Sequence, residues 1–156
     1  MCVIIDASCF GEVFGFPCHS KYRPVIDWIS LPRGDGRVVY GGGKFAREIE
    51  RSAAAKRWFA EMFRAGRAIR IPESIVDEEE ARIRETELCE SDDEHIVALA
   101  RLSGSRVVCT EDRALWDDLR NSNLVRPRAR LYRSAEHARL LRHNNICRSA
   151  RRRRRR

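Results

Sequence analysis

Short apolar runs alternate with stretches of helical periodicity along almost the whole chain. The first run, Cys2–Ile5 (CVII), ends on Asp6 and reads as a buried strand with an acid at its C-terminal end. SCFGEVFG then reads as a short helix stopped by Gly15 and Pro17. RPVIDWIS (Arg23–Ser30) reads as a second short helix, closed by the turn LPRGDG. Further strands are predicted at Arg37–Gly42, Ala68–Ile71, Arg106–Thr110 and Ala129–Arg133. Between them the spacing predicts one long helix over Lys44–Gly66, with Phe45, Ile49, Trp58, Phe59, Met62 and Phe63 at helical intervals. Pro72 opens a charged amphipathic helix over ESIVDEEEARIRETELC, a further helix starts at Ser91, and RALWDDLRN and SAEHARLLRH supply the last two. Apolar strands alternating with helices predict an α/β fold: a three-layer, Rossmann-like sandwich around a central parallel sheet.

The stretch Ser91–Ala100, SDDEHIVALA, places three acids and a histidine in front of an apolar run. Ser91 and Glu94 have the spacing of a capping box, and acids in a first turn suit the positive end of a helix. Asp93 fits that role less well. Ile96, Val97 and Ala100 lie three, four and seven residues beyond it, so Asp93 shares the core-facing side, where a carboxylate is costly unless paired or metal-bound. His95, one turn before Leu99, reads as a packing or capping residue.

At 156 residues and 43% hydrophobic, the chain can bury one sizeable core. No apolar run approaches the roughly 18 residues of a membrane span. The opening MCVIID has neither a basic n-region nor a cleavage site, so no membrane association and a cytoplasmic location are expected. Six scattered cysteines without a C-x-x-C pair argue against a zinc ribbon or a redox dithiol and for reduced, partly core thiols. The net charge of +8 is unevenly spread. From Arg126 onward there are 13 arginines against the single acid Glu136, while the preceding body is mildly acidic. Residues 1–143 therefore read as one domain and 144–156 as an arginine-rich, disordered tail. Arg126, Arg128, Arg130 and Arg133 are candidate contacts for a polyanion.

Asp6 and Asp112 each follow a predicted strand, and Asp93 precedes the strand unit that ends at Asp112. In an open α/β sheet the crevice beyond the C-terminal strand ends is where ligands bind. Glu48, one turn into the helix after YGGG, and Asp118, six residues past Asp112, could point to the same place. Each acid also has a structural role open to it. Asp6 and Asp112 could cap the helices after them, Glu48 could pair with Lys44 or Ser52, and Asp118 could lie on a solvated face. Acids converging in one crevice would repel one another unless a hard divalent cation neutralised them, and an all-oxygen set suits magnesium or manganese. Two such ions about 3.5–4 Å apart suit phosphodiester hydrolysis.

VIIDAS, YGGGKFAREI, SDDEHIVALA and VVCTEDRALWDDL, in this order and spacing, resemble the PIN domain, a family of metal-dependent nucleases. The resemblance covers residues 2 to about 142. It implies that Asp6, Glu48, Asp93 and Asp112 are the catalytic, metal-binding acids, with Glu50 a neighbour that could be confused with Glu48. Asp118 matches an accessory acid and Thr110 a hydroxyl position beside the fourth acid. The activity implied is endoribonuclease cleavage of RNA with Mg2+ or Mn2+. Many small stand-alone members are toxins held by an antitoxin protein, although YGGGK and SAEHARLL look less like the commonest toxin subgroup. The long predicted helix could supply a homodimer face or simply cover the sheet. The alternative is a non-catalytic nucleic-acid binder acting through its arginine-rich end.

Overall fold

The structure is a computed structural model and describes residues 2–142. The predicted tail at 144–156 lies outside the described residues. The sheet has five parallel strands, β1 (Cys2–Ile5), β2 (Arg37–Gly41), β3 (Ala68–Ile71), β4 (Val107–Cys109) and β5 (Arg130–Tyr132), in the order β3-β2-β1-β4-β5. Seven α-helices accompany them among the described residues: α1 (Phe10–Phe14), α2 (Arg23–Ser30), α3 (Gly43–Glu50), α4 (Ala53–Arg64), α5 (Glu73–Glu85), α6 (Glu94–Ser103) and α7 (Arg113–Arg120). This is the expected three-layer α/β sandwich.

The unbroken apolar run of β1 is the reason for its place at the centre. All four residues are fully buried, as a strand covered on both faces requires. Val3 pairs with Val38 of β2 on one side and Val107 of β4 on the other. The chain moves outward from β1 to β2 and β3, then returns past β1 to lay down β4 and β5. The order reverses between β1 and β4, and a doubly wound sheet opens its ligand crevice at such a point, beyond the C-terminal strand ends. Asp6 follows β1 at that edge, and its backbone N–H donates to Cys109 O of β4 at 2.9 Å.

The long helix expected over Lys44–Gly66 is two helices. Ser52 adopts an extended conformation and caps α4, its Oγ accepting from Ala55 N–H at 3.2 Å. A hydroxyl that satisfies the first turn of a new helix outcompetes continuation of the old one. Phe10, Phe14, Phe45, Trp58 and Phe59 join α1, α3 and α4 through ring contacts of 4.9–6.1 Å. The turn from β2 into α3 needs its glycines: Gly41 and Gly42 have φ of 154° and 91°, and a Cβ on Gly42 would meet Val76 Cγ1 at 2.7 Å. Asp77 of α5 then accepts from Gly43 N–H at 2.9 Å and fixes the start of α3.

Three further expectations change. The helix predicted from Ser91 begins at Glu94, and the capping box does not form: Ser91 Oγ accepts from Asp93 N–H at 3.2 Å and donates to Asp118, while Glu94 lies 3.8 Å from Arg84 Nε. The last predicted helix is a 3-10 helix over Ala135–Arg142, with Leu141 its buried side chain. Cys9, Cys18, Cys89 and Cys109 carry free thiols as expected, whereas Cys2 is disulfide-bonded. Among the described residues no helix is long and apolar enough to cross a membrane.

Candidate functional site

Asp6 is almost fully buried just past β1. Two hydroxyls converge on its Oδ2: Ser8 Oγ donates at 2.6 Å and Thr110 Oγ1 at 2.8 Å. Thr110 comes from the end of β4, so the two strands at the switch point share one carboxylate. The same hydroxyls hold the loop beyond β4, Ser8 Oγ accepting from Glu111 N–H at 3.0 Å and Thr110 Oγ1 from Asp112 N–H at 3.1 Å. Trp116 Nε1 donates to Thr110 O at 2.9 Å and closes α7 against this corner.

Glu48, Asp93 and His95 form a second, adjoining group, their ligand atoms all within 4.8 Å of one another. Phe45 anchors α3 in the core, and one turn later the helix presents Glu48 toward the N-terminus of α6. Glu48 Oε2 lies 3.0 Å from His95 Nε2. Glu50 is exposed and pairs with Lys56 at 2.7 Å, which settles which of the two acids points inward. Asp93 is the N-cap residue of α6 and makes no side-chain cap bond. Its Oδ1 lies 3.5 Å from Lys44 Nζ and 3.9 Å from His95 Nδ1, and Lys44 also donates to Asp92 O. Burial pushes the Asp93 carboxyl up to about 6, the charges of Asp6 and Glu48 add to the rise, and His95 and Lys44 oppose it.

The remaining expected residues are placed differently. Asp112 is half-buried and caps α7, its Oδ1 accepting from Ala114 N–H at 2.8 Å and Leu115 N–H at 3.3 Å. It adjoins the Asp6 corner through Thr110 and is not among the three grouped side chains. Asp118 is buried and braces a loop: its carboxylate accepts from Glu90 N–H at 2.8 Å, Ser91 N–H at 3.0 Å and Ser91 Oγ at 2.5 Å. It thereby positions the segment that carries Asp93. Arg126, Arg128, Arg130 and Arg133 are all exposed. Arg133, just past β5 and so at the same sheet edge as Asp6, lies 4.4 Å over the Trp116 ring.

Sequence reasoning missed Ser8 and Glu111, offered Lys44 to Glu48 where it pairs with Asp93, and gave His95 only a packing or capping role. His95 does pack, with its ring 6.0 Å from that of Phe45, but it also reaches Glu48. Glu111 organises a flank of the site. It accepts from Lys21 Nζ at 2.7 Å and Tyr22 OH at 2.5 Å, while Lys21 also pairs with Glu12 at 2.6 Å and Tyr22 OH lies 3.1 Å from Cys9 Sγ. Burial pushes the Cys9 thiol up to about 12, so it stays protonated and inert at neutral pH. Comparison with protein-family models, with curated proteins and with solved structures finds no match to the chain.

Proposed function

We propose that this protein is a Mg2+- or Mn2+-dependent endoribonuclease of the PIN type. The observation that carries the reading is the grouping of Glu48, Asp93 and His95, with Asp6 just past β1 close enough for its charge to act on Asp93, beside the reversal of strand order. These acids fit a divalent cation. Asp93 holds its proton to about pH 6 because burial and like charges oppose ionisation, and a bound cation removes that opposition. Asp6, Glu48 and Asp93 would hold the ion, with Asp112 next to them. The ion, when bound, supplies charge neutralisation at the scissile phosphate and a nucleophilic water at neutral pH. The chain supplies the rest. Ser8 and Thr110 fix the Asp6 carboxylate, and Asp118 fixes the loop before Asp93. Arg133, at the same sheet edge as Asp6, attracts the phosphate backbone, whereas Arg126, Arg128 and Arg130 lie toward the opposite end of β5.

Incubating 5′-labelled single-stranded and structured RNA with the protein and MgCl2, MnCl2 or EDTA tests this. Cleavage with either metal and none with EDTA is expected. Asp6→Asn should lower the rate at least about a hundredfold, since a metal centre is worth several kcal/mol. Equal cleavage by wild type and Asp6→Asn would sink the proposal. The exposed arginines favour one second reading, a binder without catalysis. In that case RNA affinity falls steeply with salt, no metal gives cleavage, and deletion of residues 144–156 removes the function rather than only weakening affinity. As a biological setting we attach the role of a toxin restrained by an antitoxin that covers the crevice. Growth arrest on induction of the wild type, absent for Asp6→Asn, is the expected result.

A further inference from the structure

His95 is fully buried at the start of α6, and its two ring nitrogens meet different neighbours. Nε2 lies 3.0 Å from Glu48 Oε2. A carboxylate oxygen only accepts, so Nε2 carries the proton in this contact. In the neutral ring that leaves an in-plane lone pair on Nδ1. Nδ1 is buried and has no hydrogen-bond partner, a condition shared among buried side-chain polar atoms of the described residues only with Glu12 Oε2, which Lys21 neutralises. What Nδ1 faces is Asp93 Oδ1 at 3.9 Å, too far for a hydrogen bond. An acceptor thus faces an acceptor in a buried place, which is unfavourable when nothing lies between them. A cation that takes both lone pairs relieves that cost. The carboxylate–imidazole contact on the far side is the arrangement that fixes the tautomer and orientation of a metal-ligating histidine.

We propose that His95 Nδ1 is a direct metal ligand together with Asp93, with Glu48 Oε2 orienting the ring, and that the centre therefore takes a first-row transition-metal ion in preference to Mg2+. Imidazole nitrogen suits transition metals, whereas Mg2+ keeps to oxygen donors and water. This deepens the reading of the acidic group as a metal centre and rests on it. It differs from the all-oxygen site that the sequence suggests.

The probe is Mn2+ alone, added to the intact protein and followed by pulsed electron paramagnetic resonance, with MgCl2 as competitor in a parallel titration. The wild type is expected to show coupling of the Mn2+ electron spin to a directly bound nitrogen, and excess Mg2+ should displace the ion poorly. His95→Gln keeps an amide donor where Nε2 stood and removes Nδ1. It should lose the nitrogen coupling and bind Mn2+ at least about tenfold more weakly, the lower bound for disturbing even an outer-shell partner, with Mg2+ affinity unchanged. His95→Asn places an amide atom near the Nδ1 position and should retain part of the Mn2+ affinity. Absence of nitrogen coupling in the wild type, or no Mn2+ binding at all, overturns the proposal. If His95→Gln does not fold, the wild-type spectrum decides alone. RNA cleavage with no nitrogen coupling leaves the nuclease reading standing and removes this one. Nitrogen coupling in a protein that cleaves no RNA does the reverse.

Discussion

Asp93 is mostly covered, faces His95 across 3.9 Å, and feels the charges of Asp6 and Glu48. Its carboxyl, at about 6, stands above its ordinary value of 3.8, and the direction of that shift sets a stability consequence. Below pH 4 the group is protonated in both folded and unfolded chains and nothing is lost. As pH rises through 4 to 6 the unfolded chain ionises first, so the folded state loses stability, and the loss is complete above the folded pKa. At about 1.4 kcal/mol per unit, discounted for partial exposure and the Lys44 contact, the loss is about 1–3 kcal/mol. Asp93→Asn should therefore raise metal-free stability by that amount at pH 7.5, gain nothing near pH 4, and abolish cleavage. Urea unfolding in EDTA at the two pH values measures it, and destabilisation at pH 7.5 would show that the carboxylate is better paired than argued. At this scale the sequence marked Asp93 correctly as an acid misplaced for a simple cap. It did not reveal the partner of His95, because Glu48 is 47 residues away and only folding brings α3 against α6.

At the scale of elements, the loop before α6 is held by α7. Asp118→Ala leaves Glu90 N–H and Ser91 N–H without their buried acceptor, so a loss of about 2 kcal/mol or more is expected by thermal or urea unfolding. Asp118→Asn keeps one acceptor oxygen and should lose less. With Asp118 bracing the loop rather than meeting a metal ion, Asp118→Asn should retain Mn2+ affinity within about twofold, and a tenfold loss would place it in the metal centre after all. The strands were legible nearly to the residue, since β1 and the core of β2 are apolar runs and β3 is apolar but for the exposed Arg70, each bounded by glycine, proline or charge. The division into α3 and α4 was harder to see, because the apolar spacing runs straight through it and only Ser52 marks the break. The capping box at Ser91 misled because the helix starts later, with Asp93 as its N-cap, so Ser91 Oγ accepts from Asp93 N–H ahead of the helix and gives its proton to the buried Asp118 carboxylate.

For the whole molecule, the crevice has a charged flank, Lys21–Glu111–Tyr22, joining the loop after β4 to the segment before α2. Burial alone would raise the Glu111 carboxyl, but the hydrogen bonds from Lys21 and Tyr22 outweigh it and hold the group below its usual range. A depressed folded pKa contributes stability above the unfolded value, about 4.3, and that contribution disappears as pH falls through the folded value. Unfolding midpoints of the wild type should drop on going from pH 5 to pH 3 by more than those of Glu111→Gln. Equal slopes would show that the flank does not stabilise the fold. The general architecture was readable from alternation of strand and helix, and of the four acids singled out in the sequence the structure groups Glu48 with Asp93. The cap role of Asp112 was already open in the sequence from its place between a strand and a helix, whereas the joining of His95 to the acids was not readable, since it depends on which way a side chain turns at the end of its element.

The bond from Thr110 Oγ1 to Asp6 Oδ2 spans 104 residues of chain. On a ribosome, β1 is made before β4, so its second edge stays open until β4 emerges. A nascent or truncated chain that stops between Asp93 and β4 carries Asp6, Glu48 and Asp93 without the Thr110 hydroxyl that helps fix the first of them. The corner is therefore complete only once β4 is in place, and chemistry that depends on a fixed Asp6 carboxylate is denied to fragments that stop short of it.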